Sequence, residues 1–386
     1  RDAFMGSGAG HQVLLVVPSL DLIVVRFGEW LGHDPDSDSW ADLRRHLAAP
    51  LVDTLIDQAE DDWAAAPCPR STAIRRVTWD APSTIVRKAY DSDNWPVTWA
   101  RDGHLVTAYG DGQGFEPFTG VKLGLGFARV AGTPPRFAGH NVRSASGENL
   151  GMGARGAKAS GLLAAGGVLH MLCRNAGNAV LAWSEDGART WQWAGWRFTE
   201  SMGYPTFLNY GQGNAGARDE YAYVFSSDSD SAYVPADRFI LARAPLEHLK
   251  EREAWSFFVR LDAAGAPVWS ADVAARGAVF THAGACARSS VAYNAALGRY
   301  LWWQNVPLPG GEVDTRFRGG FGLYEAPEPW GPWRAAYYTT AWDVGPGEMG
   351  VVPTKWLSAD GREGWLVFSG HDCFSVRRFV LEVEQD

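Results

Sequence analysis

From Arg70 onward the chain repeats one pattern: an alternating apolar run, a short glycine-containing turn, and a second alternating run. Alternation at period two, interrupted by turn residues, specifies antiparallel hairpins rather than helices. Residues 95–100 and 104–109 flank Arg101-Asp102-Gly103, and residues 159–164 and 168–174 flank Ala165-Gly166-Gly167. A third unit takes residues 204–208 and 221–226 with the later RFILARAPLEHL. A fourth joins SSVAYNAALGRYLWWQN to GGFGLYEAPEPWGPWRAAYY, and a fifth joins TKWLSADGREGWLVFSG to FSVRRFVLEVE. Five units across residues 90–386 average about 59 residues, room for four strands and one long loop each. The expected fold class is all-β, a five-bladed β-propeller preceded by a short hairpin-plus-helix segment. Radial sheets protect their edges and gather the innermost strand of each blade around one channel. Those strands are expected to begin near Trp95, Ala159, Pro205, Ser289 and Thr354. A two-sheet sandwich accommodates five matched hairpins of this size poorly.

The second unit carries LAWSEDGARTWQW, residues 181–193. It is similar to the Asp box of sialidase-like propellers, with Ser184, Asp186, Thr190 and Trp191 in register and the glycine one place early. Asp186 is expected to be a turn residue of an outer hairpin.

Residues 1–66 have another texture. HQVLLVVPSLDLIVVRF contains two β-branched runs, 13–17 and 22–25, joined by Pro18-Ser19-Leu20-Asp21, which reads as a hairpin. Leu43, Leu47, Leu51 and Leu55 recur at steps of four after the candidate caps Asp38 and Ser39, which reads as a helix interrupted at Pro50. Hairpin then helix resembles the C-terminal part of serine β-lactamase-like hydrolases over residues 1 to about 60. That family's Ser-x-x-Lys and Tyr-x-Asn motifs would lie upstream, and only Gly8, Gly10 and His11 resemble a remnant of its third motif. No acyl-transfer activity is expected. The chain starts at Arg1, which reads as a segment of something longer. DDWAAAPCPRST is the expected linker, and residues 72–386 the expected propeller.

With 35 basic and 44 acidic residues the net charge is −9, and no Lys/Arg-rich run occurs, so no nucleic-acid partner is expected. No apolar run approaches the length of a membrane span. Cys68, Cys173, Cys286 and Cys373 show neither zinc-ligand nor disulfide spacing and are expected as buried thiols. The 19 Trp, 18 Phe and 12 Tyr suit both sheet cores and sugar-binding faces.

DNWPVTWARDGHLVTAYGDG, GARDEYAYVFSSDSDSAYVPADRFILARAP, AYNAALGRYLWW and APEPWGPW resemble the propellers of domain-of-unknown-function family 4185, from Thr72 to the C-terminus. That family neighbours the arabinanase- and fructosidase-like glycoside hydrolases and includes endo-acting arabinan-degrading members. The resemblance implies a secreted or periplasmic, monomeric, polysaccharide-active glycoside hydrolase without a cofactor, save a structural Ca²⁺ that a propeller channel can hold.

Polar residues where innermost strands begin are the first candidates for the channel mouth. These are Asp91, Asp93 and Asn94, then Arg155 and Lys158, Tyr204, His282 and Arg288, and Glu348 and Lys355. Residues closing the adjacent strands are the second: Asp111, Arg174, Asn175, Asp228, His371 and Asp372. Glycosidic cleavage needs two carboxyl groups, one protonated and one ionised. Asp93, Asp111 and Asp219 are the candidate catalysts, with Glu348 and Asp372 as substitutes. Asn94, Trp95, Lys158, Arg174, Tyr204, His282, Arg288, Lys355, His371 and Asp372 are candidate substrate contacts. Against these roles, Asp111 and Asp372 lie near glycines, where turn carboxylates cap backbone N–H groups; Asp219 follows Arg218 and can pair with it. Two alternatives remain: a uronate lyase using His140, His170, Tyr204, His282 and Arg288, and a non-catalytic glycan-binding propeller.

Overall fold

The computed structural model describes residues 4–8, 12–17, 22–28, 62–175 and 177–384. The chain divides into two compact units, Arg1–Gln58 and Ala59–Asp386. In the first, β1 (Phe4–Gly8), β2 (Gln12–Val17) and β3 (Leu22–Arg26) form an antiparallel sheet in that order. The expected hairpin is present as β2–β3, with Val16 opposite Ile23. The helix expected after residue 38 lies outside the described residues.

The second unit is all-β and built of five radial blades, two of which are joined into one ten-stranded sheet. It opens with β4 (Ile74–Trp79) and β5 (Val86–Lys88). Blade one is β6 (Val97–Trp99), β7 (Leu105–Tyr109), β8 (Gly126–Thr133) and β9 (Arg136–Val142). Blade two is β10 (Lys158–Ala165), β11 (Val168–Arg174), β12 (Val180–Ser184) and β13 (Gln192–Trp193). Blade three is β14 (Thr206–Asn209), β15 (Tyr221–Ser227), β16 (Ala236–Pro245), β17 (Ser256–Leu261) and β18 (Pro267–Ser270), with β19 (Phe280–Cys286) also on β16. Blade four is β20 (Ser289–Asn294), β21 (Arg299–Val306), β22 (Gly320–Ala326) and β23 (Arg334–Thr339). Blade five is β24 (Gly350–Val351), β25 (Glu363–Phe368) and β26 (Phe374–Val383), completed on its outer side by β4. A strand from the start of the unit thus closes the ring against one from its end, Leu381 opposite Val77.

The fifth innermost strand departs from expectation. It is the two-residue β24, whereas Thr354–Trp356 forms a 3₁₀ turn beyond it. Two residues are too few to show alternation, so the neighbouring TKW run attracted the assignment. The β10–β11 turn forms as read, with Gly166 and Gly167 at φ 58° and 84°, the left-handed pair a two-residue hairpin requires.

Innermost strands run in one direction around the axis, and β14 and β20 pair in parallel, Leu208 opposite Val291. Hydrogen bonds stitch consecutive blades at the end where these strands begin. Asn94 Nδ2 donates to the Ala159 carbonyl at 2.5 Å, Ser160 Oγ to Pro205 at 2.7 Å, and Arg288 Nε to Ala232 at 3.2 Å. Ser290 Oγ donates to Gly350 at 2.5 Å, and the Ser92 N–H to Asp372 at 3.0 Å, which joins blade five to blade one. Every residue of β7, β10 and β22 is buried, because neighbouring blades cover both faces. Aromatic side chains fill these interfaces: Trp302 lies 4.6 Å from Trp333 and 5.0 Å from Phe239.

Asp186 is the turn residue expected. Its Oδ1 accepts from the N–H groups of Arg189 (3.1 Å) and Thr190 (2.9 Å), and Oδ2 from Thr190 Oγ1 (2.7 Å). These bonds hold its pKa down at about 2. The four cysteines are free; three are buried and Cys68 half-buried.

Candidate active site

The sense of the strands decides which residues can meet. Innermost strands begin at one face of the ring and second strands, running antiparallel, end there. Residues 93–94, 158, 204, 288 and 348 therefore converge with residues 111, 174–175 and 371–372.

Asp93 enters blade one through a bridge to Gly110, with N–H to carbonyl distances of 2.9 and 2.7 Å. Gly110 has to be glycine for space, since a Cβ there would stand 2.8 Å from Asp93 Oδ1. The Asp93 residue is 5% exposed, and Oδ1 is buried without a hydrogen-bond partner. Burial raises its pKa, the charges of Glu348 and Asp111 raise it further, and Lys158 and Arg288 only partly compensate. The result is about 8, so the carboxyl is protonated at neutral pH.

Glu348, at the entry to β24, is the opposite case. Its N–H donates to Ser369 Oγ at 2.9 Å, and its Oε2 is paired with Arg288 Nη1. Burial alone would push this carboxyl up. The charges of Arg288 and Arg174, the Arg288 hydrogen bond and the charge of Arg316 outweigh it and hold Glu348 below the usual carboxylate range. One mouth therefore holds a protonated and an ionised carboxyl.

Cations and amides fill the space between them. Asp111 accepts from Lys158 Nζ and from the Gly153 N–H at 2.9 Å. Asn94 Oδ1 accepts from Arg174 Nη2 (3.2 Å) and Tyr204 Oη (3.4 Å). Arg174 Nη1 donates to Asn175 Oδ1 at 2.9 Å, while its Nε has no partner. The Arg174 guanidinium lies 5.1 Å from the Tyr204 ring and 5.7 Å from the Tyr233 ring; that of Arg288 lies 5.1 Å from the Tyr233 ring. Arg316 bonds Asp314 and Asp372, both at 3.0 Å. Beside Tyr233 opens a groove of about 550 Å³ whose lining includes Asn175, Asn178, Thr199, Asp230 and Ser231, amide, hydroxyl and carboxylate groups suited to a polyhydroxylated ligand.

Of the residues selected from sequence, Asp93, Asn94, Asp111, Lys158, Arg174, Tyr204, Arg288, His371 and Asp372 reach this end of the channel. Trp95 does not face it: the ring is fully buried against Tyr109, Phe115 and Phe374. Tyr204 is buried as well, its ring under Arg174. Asp219 opens β15, at the other end of blade three, where it accepts from the Tyr221 N–H (3.0 Å) and Tyr223 Oη (2.7 Å). Lys355 follows β24 into the 3₁₀ turn, also toward the opposite end. His282 sits in β19 with its ring 6.1 Å from Tyr338, His140 in β9, and His170 in the interior of β11, where burial lowers its pKa to about 4. Of the histidines considered, His371 is at the mouth, edge-on to Phe317 at 5.4 Å, and His282 lies at the same end of the ring but on an outer strand, beside Thr281 that pairs with Arg238. Asp228 leaves β15 at this end but is held by Arg238 (2.6 Å) and Arg276 (2.7 Å).

Tyr233 and Arg316 escaped the sequence reading, since both lie in loops with no periodicity to place them. Among the described residues no group of three or more His, Cys, Asp or Glu is disposed to hold a metal. The Ca²⁺ expectation fits these residues poorly: Ca²⁺ takes six to eight oxygen ligands, and here Lys158 and Arg288 occupy the carboxylates of Asp111 and Glu348.

No protein-family model and no curated protein matches the chain, so the resemblances to family 4185 and to serine β-lactamase-like hydrolases are not confirmed. Solved structures similar to it include the GH43_1 enzyme from Xanthomonas citri, at 14% identity over 78% of this chain and 92% of that one, TM-score 0.42. RS223-Beta-xylosidase has 11% identity over 76% and 92%, TM-score 0.42. Zg3597, a family 117 glycoside hydrolase of Zobellia galactanivorans, has 11% identity over 80% and 91%, TM-score 0.39. The propeller assignment rests on the strand order and pairing described above.

Proposed function

We propose that this protein is a glycoside hydrolase acting at the channel mouth, with Asp93 as the proton donor and Glu348 as the ionised partner. The observation that carries the reading is the opposed state of these two carboxyls, one neutral through burial and one charged through Arg288. Glycosidic cleavage asks for such a pair. Asp93 gives its proton to the bridging oxygen as the C–O bond breaks. Glu348 removes a proton from the attacking water or adds to the anomeric carbon itself. Asp111 fixes Lys158, whose charge keeps the Asp93 proton transferable. The polar groove beside Tyr233 holds neighbouring sugar hydroxyls.

The test is product analysis on a panel of polysaccharides with the wild type, Asp93→Asn and Glu348→Gln. New reducing ends from the wild type, lost in both variants, support the reading. Ultraviolet absorbance of an unsaturated uronate would instead indicate a lyase. Glycan binding without product would leave a lectin-like protein.

A further inference from the structure

Four cationic side chains are buried among the described residues: Lys158, Arg174, Arg288 and Arg377. A buried charge needs a counter-charge to offset its lost hydration. Lys158 has Asp111, Arg288 has Glu348, and Arg377 has both oxygens of Asp343. Arg174 has no such partner. Its hydrogen bonds go to the amide oxygens of Asn94 (3.2 Å) and Asn175 (2.9 Å), and its Nε is unpaired. Asp93 holds its proton and supplies no charge. Glu348 feels the charges of Arg288 and Arg174 but is bonded by Arg288, so one carboxylate serves two guanidinium groups. Arg316, which also acts on Glu348, bonds Asp314 and Asp372.

The groove beside Tyr233 ends on this surplus charge. Asn175, in its lining, is a partner of Arg174, and the carbonyl of Ala232, also in its lining, accepts from Arg288 Nε. The Tyr233 ring, a third lining group, lies 5.7 Å from the Arg174 guanidinium and 5.1 Å from that of Arg288. Asn175, Ala232 and Tyr233 are thus the layer that separates the groove from the two arginines. Behind that layer Arg174 Nε and Arg288 Nη2 are both unpaired donors. Tyr233 is half-buried and its hydroxyl accepts one hydrogen bond, from Asn175 Nδ2 at 3.2 Å. Its ring can yield to a group that bonds the guanidinium more strongly than a π face does. Asp230, the carboxylate of the lining, is exposed, where water and salt screen it.

We infer that the groove takes a glycan bearing an anionic group, a uronate carboxylate or a sulfate ester, which displaces the Tyr233 ring and bonds Arg174. A planar guanidinium matches either oxyanion with N–H donors, and the added charge is the counter-ion that Arg174 lacks. A neutral sugar hydroxyl brings only another dipole, which Asn94 and Asn175 already supply. The inference rests on the reading of the mouth as a glycan site, and it narrows the ligand from any polysaccharide to an acidic one.

Affinity electrophoresis tests it, with polygalacturonate and alginate as carboxylate polymers, carrageenan as the sulfate ester, and arabinan and mannan as neutral ones. At a net charge of −9 the protein is repelled by a polyanion, so retardation by one reports a local site. Wild type is expected to be retarded by at least one acidic polymer and by neither neutral one, and the retarding polymer tells carboxylate from sulfate. Arg174→Gln should weaken that retention about 10- to 100-fold, the range of a lost hydrogen bond to a charged group. Arg174→Lys keeps the charge and should recover part of it, and Tyr233→Ala, which uncovers Arg174, should strengthen it. Arg260→Gln, on the outer strand β17, is the control for a lost surface charge and should match wild type. Melting temperatures check the fold of each variant, while the comparison of polymers needs the wild type alone. Retardation by neutral polymers as strong as by acidic ones, none by any acidic polymer, unchanged retention in Arg174→Gln or weakened retention in Tyr233→Ala overturns the inference. Reducing ends from arabinan or mannan alone would keep the hydrolase reading and sink this one. Arg174-dependent retention by an acidic polymer without any product would do the reverse.

Discussion

Replacing Asp93 by Asn separates the proton on this residue from every other feature of the site. Asn is nearly isosteric with the protonated carboxyl and cannot ionise. In the native protein Asp93 keeps its proton to about pH 8, whereas an unfolded Asp releases it near pH 4. The native state thus binds more protons than the unfolded state between these values, and the stability of the wild type falls as pH rises through that window. The slope is about 1.4 kcal/mol per pH unit, so by pH 7 the penalty reaches about 4 kcal/mol as an upper bound. Asp93→Asn lacks that penalty. It should be more stable than wild type at pH 7 by up to that amount, about 6 °C in Tm for a unit of this length, and the difference should shrink to nothing near pH 4. Melting or urea midpoints at half-unit steps from pH 4 to 9 measure it. In the same preparations polysaccharide turnover should vanish, since an amide cannot serve as the acid. Parallel stability curves for the two proteins would show that Asp93 is ionised in the native state, and the assignment of the acid would fail.

The pH profile of wild-type kcat/KM should fall on the alkaline side near pH 8, as the Asp93 proton is lost, and on the acid side as Glu348 takes one up. Glu348→Gln should lower turnover by about 100-fold or more. It should also cost about 3 kcal/mol in urea denaturation, because it leaves the fully buried Arg288 without its counter-charge. Gly110→Ala pushes a methyl against Asp93 Oδ1 and should cost about 1–3 kcal/mol along with most of the activity. Asp186→Ala should cost about 1 kcal/mol through its turn hydrogen bonds and leave kcat/KM unchanged, because the blade-two turn is remote from the mouth.

How much of this was legible follows from what a local pattern can record. Alternation and glycine turns exposed the hairpins of all five blades, because each is formed by residues close in sequence. The closing strand β4 pairs with β26 from the other end of the unit, and no local signal reports such a pairing. β24 was too short to alternate, so the inner edge of blade five was placed at Thr354. The site was read by a positional rule, and the rule works where strand sense is respected. Asp93 and Glu348 begin innermost strands, Asp111 and Arg174 close second strands, and these four meet. Asp219 begins a second strand, and antiparallel pairing sends that end away from the mouth. Aromatic residues show a different limit, because composition does not say which way a ring faces. Trp95, four residues before Trp99 and beside Asn94, packs inward on Phe374 at 5.2 Å. Tyr90 and Phe317 project outward from loops that carry no periodicity at all.

The charge logic of the mouth lay further from view, because it belongs to several blades at once. Asp93 is neutral because it is buried and because Glu348 and Asp111 are charged nearby, and Glu348 is charged because Arg288 and Arg174 face it. Each of these five arrives on its own loop or strand end. The ring that holds them is closed by the Ser92–Asp372 backbone bond and by the β4–β26 ladder. A loosened closure therefore changes the two carboxyls together: water entering between blades five and one lowers the Asp93 pKa by solvating its anion and weakens the Arg288–Glu348 attraction by screening. The acid and its partner are thus a property of the closed ring, and their opposed states persist only while blade five remains locked to blade one.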